Sequence, residues 1–118
     1  MPDRLIQAME TAAREVKGWP HKSIQLFHHN DTDGLTSGAI LTRTFERAGF
    51  AVDRFCMEKP YPAVLEKIFA KRNRLIVFTD FAGRIAPLIS DLNRSRNLVL
   101  ILDHHKANPA TDAMVHNL

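Results

Sequence analysis

Two unbroken runs dominate the hydrophobic pattern: Leu75-Ile76-Val77-Phe78-Thr79 and Leu98-Val99-Leu100-Ile101-Leu102. β-forming residues without polar alternation predict strands buried on both faces of a parallel sheet. Weaker strand signals precede them at 23–28 and 50–55. Between these stretches the apolar positions switch to the helical period. Leu5, Met9, Ala12, Ala13 and Val16 mark a helix over 3–17, stopped by Gly18 and Pro20. Leu35, Ala39, Leu41, Phe45 and Ala48 mark a second over 34–48, with Gly49 placed to cap it. Pro60 and Pro62 introduce a third helix, reaching to about 72, with Val64, Leu65, Ile68 and Phe69 as its buried stripe. Ile85, Leu88, Ile89 and Leu92 mark a fourth over 84–94, and the chain beyond Lys106 is irregular. Strands alternating with helices imply right-handed crossovers and an α/β fold. The expectation is a Rossmann-like, doubly wound sheet of about four parallel strands, order 2-1-3-4, with helices on both faces.

In a parallel sheet every carboxyl end lies on one edge, so the residues after each strand meet there. The first strand delivers His28-His29-Asn30-Asp31-Thr32-Asp33-Gly34. His29, Asp31 and Asp33 alternate, and in an extended loop they converge on one side. The third strand delivers Asp80, the fourth Asp103, His104, His105 and Lys106, and the second nothing comparable. Imidazole nitrogen with carboxylate oxygen suits manganese, zinc or iron better than calcium. Gly34 permits close backbone approach, and the helix start beside it favours a phosphate. Ser37 and Gly38 keep the first turn of that helix slim. Against this stands the plain reading: Asp, Asn, Thr and Gly are turn residues, and Asp31 or Asp33 is suited to capping the helix. Three separate strand ends carrying Asp or His are harder to assign to turns alone. His28 reads equally as structural, Lys106 as an exposed strand-end lysine, and Cys56 as a small buried or half-buried residue with no local base.

Composition narrows the setting. The 118 residues, 45% apolar, suffice for a single modest domain over 1–118. A net charge of +3 permits an anionic substrate without demanding nucleic acid. The single cysteine excludes an internal disulfide and fits a reducing, cytoplasmic setting. No run approaches the roughly 18 apolar residues of a membrane helix, and the start Met1-Pro2-Asp3-Arg4 lacks the apolar segment of a signal peptide.

His29-x-Asp31-x-Asp33-Gly34, the isolated Asp80 closing one apolar strand, and Asp103-His104-His105 closing the next resemble the first three motifs of the DHH phosphoesterase superfamily. The resemblance spans 23–106, and Thr36-Ser37-Gly38-Ala39 is most similar to the RecJ-like exonuclease and exopolyphosphatase-related branches. It implies a manganese-dependent phosphoesterase acting on phosphodiester or phosphoanhydride bonds of an oligonucleotide, nucleic acid or polyphosphate. It also implies two Mn2+ ions, with Mg2+, Co2+ or Zn2+ as substitutes. By the same resemblance, His29, Asp31 and Asp80 hold one ion, and Asp33, Asp80 and His104 hold the second. Asp80, His104 and His105 are then catalytic. His105, Lys106 and Gly34 contact the substrate phosphate, and Asp103 supports the metal site. Two ions about 3.5–4 Å apart suit a phosphoryl group attacked in line. The rival is a degenerate module of the same fold that binds nucleotide, nucleic acid or protein without hydrolysis. The full set of candidate ligands argues against it. An unrelated Rossmann-like domain is a third reading and predicts no metal uptake.

The chain departs from the superfamily in one respect. Members carry a fourth motif with another Asp ligand, then a smaller C-terminal substrate-binding domain. Twelve residues follow Lys106, and Asp112 comes too early to match that motif. The expectation is the amino-terminal part of a larger protein. Such a part holds its first ion better than its second and hydrolyses phosphoesters weakly alone. It also tends to form a homodimer through an uncovered face or edge at 98–102.

Overall fold

In chain order a computed structural model gives helix α1 (Pro2–Gly18), strand β1 (Ser23–His28), helix α2 (Thr32–Arg47), strand β2 (Ala51–Cys56), helix α3 (Pro62–Phe69), strand β3 (Leu75–Thr79), helix α4 (Ala86–Asn93), strand β4 (Leu98–Leu102) and strand β5 (Val115–Asn117). The structure describes residues 2–20, 22–29, 31–57, 61–79, 85–102, 110–112 and 114–117, without the side chains of residues 2–6, 8 and 9.

The two apolar runs are the centre of the sheet. All of β3 is buried, and so is β4 up to Leu102, which is half-buried. The sheet is parallel throughout, in the order β2-β1-β3-β4-β5. Alternate residues feed two cores. Ile24, Leu26, Leu75, Val77, Leu98 and Leu100 meet Ala12 and Val16 of α1 and Leu41 and Phe45 of α2. On the opposite face Phe27, Ile76, Phe78, Val99 and Ile101 meet Leu65 and Phe69 of α3 and Ala86 and Ile89 of α4. The helices therefore cover both faces, and the chain reverses direction across the sheet between β1 and β3, where ligands of doubly wound folds bind.

Four details differ from the expectations. First, the sheet-facing stripe of α2 is buried Gly34 and Gly38 with half-buried Leu41 and Phe45, while Leu35, Ala39 and Ala48 are exposed. Two glycines occupy sheet-facing positions, so apolar periodicity alone misplaces the face. Val64 of α3 and Leu88 of α4 are likewise exposed. Second, Cys56 is exposed, because β2 is the outer strand and is thinly covered. Third, α2 begins at Thr32, so Asp33 lies in its first turn and not in an extended loop. Fourth, β5 pairs in parallel with β4, matching Val99 with Val115 and Ile101 with Asn117. The edge of β4 expected to be open is thus covered.

Asp112 secures that addition. Its carboxylate accepts hydrogen bonds from the Ser95 N–H at 2.6 Å, the Ser95 hydroxyl at 2.8 Å, the Met114 N–H at 2.9 Å and Asn93 Nδ2 at 3.1 Å. Burial pushes its pKa up, but these bonds together outweigh that and hold it below the ordinary aspartate value. Beneath it the fully buried Asn93 and Asn97 bond to each other, and Asn97 also bonds to Lys71 and Arg74 backbone. In the middle of β5, His116 Nε2 lies 2.5 Å from Glu15 of α1.

Candidate metal centre

The carboxyl ends of four strands finish level with one another. His28 pairs with Cys56 on one side and Thr79 on the other, and Thr79 pairs with Leu102. The residues next in sequence are Met57, His29, Asp80 and Asp103. Met57 is buried and donates its N–H to the His28 carbonyl, so β2 brings apolar cover to this edge. Asp80, Asp103, His104, His105 and Lys106 lie outside the described residues.

The loop after β1 is built from short backbone contacts. Asp31 is the N-cap of α2, and its Oδ1 accepts the Gly34 N–H at 2.7 Å. The plain capping role is therefore real. Its other oxygen, Oδ2, lies 3.1 Å from His29 Nδ1, and both side chains are partly open to solvent. A capping aspartate does not need that second contact. Gly34 packs against the His29 backbone so tightly that a Cβ there would sit 2.3 Å from the His29 carbonyl oxygen. The close approach that Gly34 permits is thus to the loop itself, and its N–H is already taken by Asp31.

His28 holds the same carbonyl from the other side. It is 4% exposed, and its Nδ1 lies 3.1 Å from the His29 oxygen. A carbonyl only accepts, so Nδ1 carries the proton and His28 is the donor. The other flank of its ring rests on α2, where a Cβ on Gly38 would come within 3.0 Å of it. His28 is therefore a buried prop for His29, a role the sequence left open. The slimness of Gly38 accommodates this ring. Asp33 is exposed on the first turn of α2 beside the positive end of the helix. Among the described residues no three His, Cys, Asp or Glu side chains come together as an ion site. Asp112 is committed to the opposite, amino edge of the sheet, as its bonds to Ser95 and Met114 show.

The donors present fit a divalent transition metal. A nitrogen and an oxygen about 3.1 Å apart match neighbouring ligands about 2.1–2.2 Å from an octahedral ion. Hard oxygen with neutral imidazole is the donor set of manganese, iron or zinc. The alternative state of the same pair, His29 Nδ1–H donating to Asp31, leaves Nε2 as the metal donor and Asp31 as its orienting partner.

Comparison with known proteins identifies relatives of the fold. The DHH family, N-terminal domain, matches residues 23–117. An uncharacterised protein of Methanocaldococcus jannaschii is 34% identical over 87 residues, covering 70% of this chain and 19% of that protein. Among solved structures, an exonuclease RecJ bound to manganese superimposes with a TM-score of 0.73 at 21% identity, over 92% of this chain and 30% of that one. RecJ from Thermus thermophilus in complex with Mn2+ gives 0.62 at 25% identity, over 92% and 16%. CDC45 from Entamoeba histolytica gives 0.63 at 21% identity, over 96% and 23%. The chain thus spans less than a third of each of these relatives.

Proposed function

Because the chain belongs to the DHH family, we propose that its carboxyl edge is a manganese-dependent phosphoesterase site hydrolysing phosphodiester or phosphoanhydride bonds. The observation that carries this reading is the common last rung of the sheet, where β1, β3 and β4 finish side by side. The residue following each strand in sequence is His29, Asp80 or Asp103. His29, Asp31 and Asp80 would hold one ion, and Asp33, Asp80 and His104 a second.

When bound, such a pair supplies positive charge to the phosphoryl oxygens and lowers the pKa of an attacking water. The chain's own residues do the rest. His28 and Gly34 fix the His29 backbone, so its imidazole is presented without a search through loop conformations. Asp31 ties that imidazole to the start of α2. His105 and Lys106 contact the substrate phosphate, and Asp103 orients the neighbouring imidazoles. Substrates are oligonucleotides, nucleic acid or polyphosphate; the likeness to a manganese-bound exonuclease supports the first two, and the motif resemblance alone supports polyphosphate. An exposed lone thiol at Cys56 suits a reducing compartment, the cytoplasm. Among the described residues no helix is long and apolar enough to cross a membrane.

The test is hydrolysis of a single-stranded oligonucleotide and of polyphosphate with manganese and with chelator. Manganese-dependent release of product is expected, falling at least ~100-fold in Asp80→Asn. Turnover that survives chelation or the substitution refutes the reading. Metal uptake with no turnover on any phosphoester would favour a binding module instead.

A further inference from the structure

Five of the chain's 16 Lys and Arg residues lie in two loops at the amino edge of the sheet, opposite the proposed reaction site. Lys71, Arg72 and Arg74 precede β3, and Arg94 and Arg96 precede β4. Hydrogen bonds join the two loops into one surface. The Asn73 N–H donates to the Arg96 carbonyl at 2.8 Å, the Leu98 N–H to the Arg74 carbonyl at 3.0 Å, and Asn97 Nδ2 to the Lys71 carbonyl at 3.0 Å. Among the described residues none of the five cations forms an ion pair with a carboxylate. Glu66 borders a hollow of about 220 Å3 with Arg94 and Arg96, Asp91 lies three residues before Arg94 on α4, and the oxygens of Asp112 are turned to Ser95, Asn93 and Met114. Arg72 and Arg74 border a second hollow of about 370 Å3 with Ser23 and Asn73.

The backbone adds a second observation. Arg94 ends α4 in the left-handed region, at φ 49°, and Ser95 follows at φ 57°. Glycine is the ordinary residue at such a helix end, and a branched-off side chain there costs stability. The chain places an arginine at that position and holds the turn with Asp112 and the two asparagines. Strain kept in place by its surroundings marks functional positions.

We propose that this amino-edge surface binds a chain of phosphates, a single-stranded nucleic acid or inorganic polyphosphate, independently of the metal centre. Four of the five cations are arginines, whose planar fork matches phosphate oxygens in pairs. A membrane surface is a poorer match, because none of the large exposed apolar residues, Leu35, Ile40, Phe55, Tyr61, Val64 and Leu88, belongs to either loop. The surface is separated from the reaction edge by the length of β3, roughly 15–20 Å.

The experiment is fluorescence anisotropy of a labelled single-stranded DNA with the whole protein, in chelator, across a salt series. Binding that weakens steeply with salt is expected. In Arg72→Gln/Arg74→Gln/Arg94→Gln/Arg96→Gln its log–log salt slope should shrink by about 0.7 for each phosphate that is no longer neutralised. The pair Arg72→Gln/Arg74→Gln, remote from the strained turn, should show about half that change and guards against misfolding of the fourfold variant. Competition by polyphosphate as strong as by DNA would identify inorganic phosphate chains as the ligand, and weak competition would identify nucleic acid. An unchanged slope in both variants overturns the proposal. So does tighter binding to anionic phosphatidylserine vesicles than to either phosphate chain. Because the assay contains chelator, failure here leaves the hydrolytic reading untouched, and failure of hydrolysis leaves this binding in place.

Discussion

At the scale of single residues, His29 is held by contacts whose removal has opposite consequences at two glycines. Gly34→Ala places a methyl 2.3 Å from a backbone oxygen that has nowhere to go. It should destabilise the chain by about 1–3 kcal/mol in urea unfolding, as overpacking does. Metal uptake should be lost with it, because the carbonyl and the Asp31 cap must part. Gly38→Ala meets a side-chain ring at 3.0 Å, which is able to yield by a few tenths of an ångström. Its cost is offset by about 1 kcal/mol of helix propensity. Net stability should therefore change little, while manganese affinity falls because His28 carries the displacement to the His29 carbonyl. Equal manganese affinity in Gly38→Ala and the parent would show that His28 is only a core residue. The prop itself was not legible in the sequence. A histidine before His29 reads the same whether it points into the core or to solvent, and only the register of β1 decides. The capping role of Asp31 was legible as one of two candidates with Asp33, because the helix, expected from Gly34, starts two residues earlier at Thr32.

At the scale of elements, β1, β3 and β4 begin and end where the pattern places them, at Ser23–His28, Leu75–Thr79 and Leu98–Leu102. Strands buried on both faces leave no freedom for polar residues, so their limits are written as hydrophobic limits. The end of α2 was equally readable. Gly49 at φ 94° closes it, with the Phe50 N–H bonded to Phe45 O and the two rings packed edge to face at 6.0 Å. β5 was not readable, because its three residues are too few for a period and its anchor, Asp112, reads in the sequence as an ordinary loop acid. That anchor carries its own prediction. Asp112→Asn replaces one acceptor oxygen with a donor facing N–H groups and should cost about 1–2 kcal/mol, a modest figure because the carboxylate is half-exposed. Its lowered pKa fixes the sign with pH. The stabilisation is present above the unfolded value, about 3.9, and is lost as pH falls through the lower folded value. Parent and Asp112→Asn should therefore differ in melting temperature at neutral pH and converge in strong acid. A constant difference down to the lowest pH would contradict the assignment.

At the scale of the whole molecule, the sheet carries two chemically distinct edges. Carboxylates and imidazoles follow the strands, and arginines precede them. The family match runs over residues 23–117 and so takes in both edges. Covering of β4 by β5 removes the open edge there on which an expected homodimer rested, and β2 carries Asp53 and Arg54, charged residues of the kind that blunt a sheet edge. A metal that binds only the folded chain must also stabilise it, by about 2.7 kcal/mol at a hundredfold excess over its dissociation constant. The most direct measurement is a calorimetric titration of manganese into the parent chain and into Asp80→Asn, with circular dichroism to confirm an unchanged fold. Saturable binding in the parent, weakened at least ~10-fold by the substitution, is the predicted result. Superimposable isotherms from the two folded proteins, or no heat from either, would contradict a metal centre at the carboxyl edge.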